Sequence, residues 1–244
     1  MYGMKTIAMI PARYNATRFP AKLMQPLGEK TVISHTYDNT LATGLFDEVI
    51  VVTDSDIIFD EISSRGGRVV KSLRQHESGS DRIAEIAIGL ETDVIVNVQG
   101  DEPFVQKAPL QALLKVFEGG QGAGVKVASL MQQITDPAVI SDPNFVKVAV
   151  DLEFNALFFS RSVLPYARNK EISIPYYEHI GVYAFRKQAL LDFTSWPITP
   201  LEAAEKIECL RYLEHGISLK MVLTEYMGVE IDTPEDLQRA LALI

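Results

Sequence analysis

The hexapeptide Glu48-Val-Ile-Val-Val-Thr53 places four β-branched apolar residues in a row. A strand with one wet face alternates apolar and polar residues. This one does not, so it reads as a parallel strand covered on both faces. Working outward, Thr6–Ile10 is a shorter apolar run that Pro11 is expected to stop. Val94–Val98 (VIVNV) is a third strongly apolar strand and Arg68–Lys71 a short one. The intervening segments read as helices: Thr31–Ala42, Ser55–Ser64 ended by Gly66-Gly67, and Ser80–Leu90 with Ser80 as cap. Ala108–Phe117 continues as helix and Val125–Met131 as strand. Strands alternating with helices of this length build a layered α/β sheet from parallel βαβ units.

The second half changes character. Val146–Asp151, Ala156–Ser160 and His179–Phe185 read as strands with fewer helices between them. A helix over Leu201–His215, a strand over Ser218–Leu223 and a closing helix over Thr233–Leu243 follow. No repeat, low-complexity tract or flexible linker divides the chain. It is expected to be a single domain over 1–244, with a smaller lobe inserted on the sheet at approximately 133–200.

Composition limits the function. The chain has 244 residues, 47% hydrophobic and 23% charged, which suits a folded globular protein with its own core. Its formal net charge of −9 opposes general nucleic-acid binding, which needs a net basic surface. No apolar run is long enough to span a membrane, so no membrane insertion is expected. The start of the chain lacks the pattern of a secretory leader, and the single cysteine, Cys209, forbids an intrachain disulfide. The expectation is a cytoplasmic protein.

Two loops should lie beyond the carboxyl ends of the strands, where open α/β sheets bind ligands. The first, Pro11–Lys22, carries Arg13, Arg18 and Lys22. Clustered cations there suit a polyanion, and arginine forks suit phosphate oxygens. A solvated basic loop paired with nearby acids is the competing reading. The loop lacks the glycines of a Walker A or dinucleotide fingerprint, which makes a dinucleotide-dependent oxidoreductase a weak idea. The second, Asn97-Val-Gln-Gly-Asp101-Glu-Pro103, delivers Asp101 just past a strand, beside a glycine that permits a sharp turn. A third stretch, Val229-Glu-Ile-Asp232-Thr-Pro-Glu235, places Asp232 at a helix start, where a plain capping role competes with a chemical one. A nucleoside triphosphate is usually handled with Mg²⁺, which prefers one or two carboxylates plus phosphate oxygens. Asp101 and Asp232 could supply the carboxylates, and the three cations could hold the phosphates.

These motifs stand with others: His76-Glu-Ser-Gly-Ser-Asp-Arg82, Phe158-Phe-Ser-Arg161, His179-Ile-Gly-Val-Tyr183 and Asp232-Thr-Pro-Glu-Asp236. In this order, and over nearly the whole chain, the sequence resembles the 3-deoxy-manno-octulosonate (Kdo) cytidylyltransferases, or CMP-Kdo synthetases. The resemblance implies a three-layer, mostly parallel sheet of the nucleotide-diphospho-sugar transferase type, Rossmann-related, with a smaller second-half lobe that makes a homodimer. It implies that CTP and Kdo give CMP-Kdo and pyrophosphate with Mg²⁺, for the inner core of lipopolysaccharide. By the same resemblance, Arg13 and Lys22, with Arg18, hold the phosphates, and Asp101 and Asp232 hold the metal. Pro11, Ala12, Ser78, Gly79, Ser80, Arg82 and Gln99 form the nucleotide pocket. Arg161, His179, Tyr183 and Glu208 are associated with the sugar.

Two departures from the family pattern matter. Ala21 stands where glycine usually precedes the loop lysine, and a Cβ there opposes positive φ, so the loop should differ slightly. Cys209 stands where glutamine is expected, which removes an amide donor and acceptor from the presumed sugar face. An 8-amino analogue of Kdo is therefore an alternative substrate. A sialic acid is the rival that the shared loop alone would allow, and the HESGSDR, NVQGDEP and DTPED motifs are not expected of it. A non-catalytic nucleotide-binding module on the same fold is the alternative from another class. Glu208 and Arg211, three apart on one helix face, could simply pair with each other.

Overall fold

The structure is a computed structural model and describes residues 3–15, 19–74, 76, 78–225 and 228–244. Two compact units emerge. One is Met1–Gln111 together with Met227–Ile244, and the other is Ala112–Tyr226.

The first unit opens with β1 (Thr6–Ala12), a small hairpin of β2 (Pro26–Leu27) and β3 (Lys30–Thr31), and α1 (Val32–Ala42). It continues through β4 (Glu48–Thr53), α2 (Asp56–Ser64), β5 (Val69–Lys71), α3 (Gly79–Ala87) and β6 (Val94–Asn97), and reaches α4 (Lys107–Lys115) at its boundary. Four strands of this unit run in the order β6-β1-β4-β5, every pair parallel. Ile7, Ala8, Met9 and Ile10 are at most 1% exposed, as are Ile50, Val51 and Val52, so both faces are covered as the β-branched runs require. Each buried Ile, Val or Met side chain among them contributes about 1.5–3 kcal/mol relative to exposure.

The chain moves outward from β1 through α1 to β4 and through α2 to β5, then doubles back through α3 to β6 on the far side of β1. Right-handed crossovers put α1 and α2 on one face and α3 on the other. The reversal makes the gap between β1 and β6 the topological switch point, where the two following loops part and open a crevice.

Pro11 does not stop β1. The strand runs on to Ala12, with Pro11 paired to Val52 and Ala12 to Thr53. The reason lies in the pairing. The carbonyl of Met9 accepts from Val98, so residues 9 and 11 turn their polar backbone groups toward the β6 side. Pairing with β6 ends at Met9, and the missing N–H of Pro11 therefore breaks no ladder bond.

The second unit contains α5 (Gly119–Gly122), β7 (Val127–Ile134), α6 (Pro137–Ser141), β8 (Lys147–Val150), β9 (Ala156–Ser160), β10 (Tyr176–Arg186), α7 (Lys187–Ser195), α8 (Pro200–Glu205), α9 (Leu210–Glu214) and β11 (Leu219–Leu223). Within it β7 pairs antiparallel with β10 and parallel with β11, while β8 joins β9 and β10. The chain then returns to the first unit as α10 (Pro234–Leu241).

The expected helix over Leu201–His215 is two short helices, because Lys206 takes a left-handed conformation with φ 56° and ends α8. Arg211 reaches back across the break to Glu202. Its Nε and Nη2 meet the two carboxylate oxygens of Glu202 at 2.7 and 2.5 Å. Its Nη1 donates to the carbonyl of Phe193, and its guanidinium lies 3.9 Å from that residue's ring centroid. Helix α7 has no counterpart in the sequence reading.

Candidate active site

The loops after β1 and β6 line a cleft at the switch point, with Pro11, Ala12, Arg13, Lys22, Ser78, Gly79, Arg82, Gln99 and Asp101 in its wall. The cleft is open to solvent, with a cavity volume of about 160 Å³. Ten of the eleven residues named for nucleotide binding belong to the first unit's described part, and nine of them line this cleft. Ser80 is buried in the first turn of α3, and Arg18 lies outside the described residues.

Lys22 organises the acidic side of the cleft. It opens a short 3-10 turn, Lys22–Met24, whose preceding residue is Ala21. Ala21 adopts the left-handed conformation, with φ 54° and ψ 28°. The loop thus keeps a glycine-like backbone with an alanine, at a cost of about 1 kcal/mol. The ammonium of Lys22 donates to Asp101 Oδ2 in a short contact and to Asp232 Oδ1 at 2.6 Å. Burial works to lower the lysine pKa, but the attraction and hydrogen bonds of the two carboxylates outweigh it and hold the pKa above its ordinary value.

Asp101 and Asp232 are positioned by backbone. Gly100, between Gln99 and Asp101, sits in a tight place: a Cβ would lie 3.1 Å from the Pro11 carbonyl oxygen and 3.2 Å from Leu23 Cδ1, so its neighbours would have to give way. Close approach, rather than an unusual φ, is what favours glycine there. Asp232 is not the cap of α10. Thr233 caps it in a reciprocal box with Asp236, so the Asp232 carboxylate turns to Lys22 instead. The amide of Ile231 donates to the Asp101 carbonyl at 3.0 Å, which fixes the two segments side by side.

That contact also brings in a residue the sequence reading passed over. Carboxylate oxygens of Asp101, Glu230 and Asp232 lie within 4.8 Å of one another. Loss of water around its carboxyl, together with the neighbouring acids Asp101, Glu102 and Asp232, pushes Glu230 above the usual carboxylate range against the pull of Lys22, although the residue as a whole is solvent-exposed. The available signal was the alternation Glu230-Ile231-Asp232. Ile231 is fully buried, so its two neighbours point the other way together. The set of hard oxygen donors fits a divalent cation such as Mg²⁺.

The opposite wall is held by α3. Ser78, not Ser80, caps the helix, accepting from the Asp81 amide at 3.1 Å. Arg82 is 4% exposed rather than solvated, with Nη1 2.9 Å from Ser72 Oγ and Nη2 3.1 Å from Asp54 Oδ2. His76 lines the same cleft and is fixed by a 2.6 Å contact with Glu85. Among the described residues Arg13 makes no ion pair, which leaves its guanidinium available to an anionic ligand.

The four residues associated with the sugar all lie in the second unit. His179 packs against Phe159 and Tyr183, with ring centroids 4.9 and 5.3 Å away, and its Nε2 is 3.0 Å from Ser129 Oγ. Ser129 has one proton, shared with the carbonyls of Ile180 and Val182, so its oxygen accepts from Nε2–H and Nδ1 is the acceptor nitrogen. Burial pushes the imidazole down to about 4, so it is neutral near pH 7. Tyr183 is buried beside Cys209 and Glu208 and its pKa is raised, first by burial and then by those neighbours. Cys209 is 1% exposed, and burial likewise raises its thiol. Arg161 sends three guanidinium nitrogens to backbone carbonyls, of Glu205, Pro143 and Lys206, and thereby ties down the turn after α8.

Known proteins resemble this chain over nearly its whole length. A family model described as cytidylyltransferase matches residues 7–222. A 3-deoxy-manno-octulosonate cytidylyltransferase of Flavobacterium johnsoniae is 58% identical over 99% of each chain. The chain belongs to the 3-deoxy-manno-octulosonate cytidylyltransferase family. A second relative of that name, from Christiangramia forsetii, is 53% identical over 98% of this chain and 97% of its own. A solved CMP:2-keto-3-deoxy-manno-octonic acid synthetase in complex with CTP superposes with a TM-score of 0.92 at 34% identity, covering 98% of both chains. The α/β fold expected from the sequence is therefore that of the family.

Proposed function

We propose that this chain activates Kdo with CTP, giving CMP-Kdo and pyrophosphate. The observation that carries the reading is the convergence of Asp101 and Asp232 on Lys22, which lines the same cleft as Arg13. A phosphate-binding cation next to oxygen donors for a divalent metal is what nucleotidyl transfer from a triphosphate requires.

In the reaction the anomeric hydroxyl oxygen of the sugar bonds to the α-phosphorus of CTP. The bond between that phosphorus and the oxygen bridging to the β-phosphorus breaks, pyrophosphate takes the electron pair, and the hydroxyl proton is lost to solvent. Arg13 and Lys22, with Arg18, bind the phosphates and stabilise charge on the leaving group. Pro11, Ala12, Ser78, Gly79, Ser80, Arg82 and Gln99 receive the nucleoside. The Arg82 guanidinium, anchored by Asp54 and Ser72, gives that pocket a rigid wall. Asp101, Asp232 and Glu230 would hold Mg²⁺, which when bound neutralises phosphate charge and acidifies the attacking hydroxyl. Arg161, His179, Tyr183 and Glu208 are assigned to the sugar acid. His179 serves it as a neutral hydrogen-bonding group, and its depressed pKa supports that role.

The product would serve lipopolysaccharide synthesis in the cytoplasm. Among the described residues no helix is long and apolar enough to cross a membrane, which is compatible with that setting. A homodimer built through the second unit is part of the same reading. Exposed apolar residues there, including Leu152, Leu157, Tyr166 and Ile172, support it.

The test is pyrophosphate release by purified protein with CTP, Mg²⁺ and Kdo, beside the 8-amino sugar and a sialic acid. Release with Kdo is expected. Release with the amino sugar alone would keep the chemistry and move the substrate. Folded protein that binds CTP but releases nothing with any of the three would overturn the reading.

A further inference from the structure

The ammonium of Lys22 occupies the place that a divalent cation would need. Its Nζ touches one oxygen each of Asp101 and Asp232, the two acids nearest the phosphate loop. A Mg²⁺ held by these carboxylates would need to approach their oxygens more closely than an ammonium does, at about 2.0–2.1 Å. The point between those oxygens therefore admits one cation at a time.

We propose that Lys22 and the metal exchange at this point. Lys22 holds the carboxylates together until a divalent cation binds. It then leaves them and becomes available to the phosphates of the nucleotide. The inference rests on the proposed metal role of Asp101 and Asp232 and adds a moving residue to it. It also reconciles the assignment of Lys22 to phosphate with its place between two acids. Before the exchange, among the described residues, the Lys22 ammonium is engaged by the carboxylates of Asp101 and Asp232 with Glu230 beside them, so it is not presented to a triphosphate. Afterwards two positive charges have been added there and a lysine has been released toward the ligand. The exchange thus couples nucleotide affinity to metal. Glu230, which has no hydrogen bond to Lys22 in this arrangement, supplies a further oxygen for the incoming ion.

The test uses nucleotide-free protein and Mn²⁺ as the probe. Crystals soaked in Mn²⁺ are expected to show an anomalous peak between Asp101 and Asp232, with Lys22 Nζ beyond hydrogen-bond distance of both. A peak there with Nζ still bonded to both acids would overturn the exchange while keeping the metal site. In solution, electron paramagnetic resonance titration should give at least tenfold tighter Mn²⁺ binding for Lys22→Met than for the parent protein. Equal or weaker binding by that variant would also overturn the exchange. Asp101→Asn reports on the underlying reading separately. If it leaves Mn²⁺ affinity unchanged and no peak forms at the acids, the metal assignment itself fails.

Discussion

Arg211 and Glu202 form a two-pronged ion pair, 2.7 and 2.5 Å long, between side chains no more than 10% exposed. The pair bridges the break between α8 and α9, and Glu208 and Cys209 lie on the turn it closes. Removing one partner leaves the other charge buried and uncompensated, which typically costs about 3–5 kcal/mol. Arg211→Met is therefore expected to lower stability by roughly that amount in urea unfolding, at unchanged m-value. A loss below about 1 kcal/mol would mean that the pair is solvated in solution.

The left-handed Ala21 gives a prediction of opposite sign. Ala21→Gly removes the Cβ conflict at φ 54° but also gives the unfolded chain more freedom. The balance is expected to be a gain of about 0.5–1 kcal/mol, seen as a higher thermal midpoint. Destabilisation by the glycine would show that the loop is not strained.

Charge at the cleft should matter to rate far more than to folding. Lys22→Met and Asp101→Asn are each expected to lower turnover on the order of 10²–10³-fold, the cost of losing one pre-organised charge in such sites. Circular dichroism should stay at the parent signal. A tenfold effect or less would reduce Lys22 to a structural ion pair.

His179 predicts a pH dependence. Its folded pKa is depressed to about 4, against about 6.5 when unfolded. Below 6.5 the unfolded chain binds a proton that the folded one refuses, so the contribution is full above that pH. It is lost as pH falls from about 6.5 to about 4, by up to about 3 kcal/mol. His179→Gln should flatten the denaturation profile in that window. An unchanged slope would show that the ring is hydrated.

How much of this was legible varies by residue. The β-branched run Glu48–Thr53 and the apolar, aromatic run Ala156–Ser160 both give strands with the same bounds in the structure, the first because its burial on both faces leaves one conformation available. Pro11 misleads because its effect depends on where a neighbouring strand ends, which no local pattern reports. The single helix expected over Leu201–His215 fails for a similar reason. Apolar periodicity continues through Lys206, while the turn is stabilised by a buried pair formed nine residues apart. At the cleft the loop cations and both aspartates are visible as residue types, but their meeting is not. Lys22 and Asp232 are separated by 210 positions. Glu230 is hidden by convention more than by physics, since its spacing from Asp232 already places both on one side of an extended segment.

The chain order of the cleft has a consequence for how the protein is made. Lys22 and Asp101 precede the second unit, and Asp232 follows it. In a disordered chain, joining Lys22 to Asp232 closes a loop of 210 residues, at an entropic cost of about 5 kcal/mol. A second unit that folds first replaces most of that flexible loop with a rigid body and lowers the cost. Assembly of the acidic wall is thus expected to be a late event, with catalytic competence returning after bulk secondary structure when denaturant is diluted.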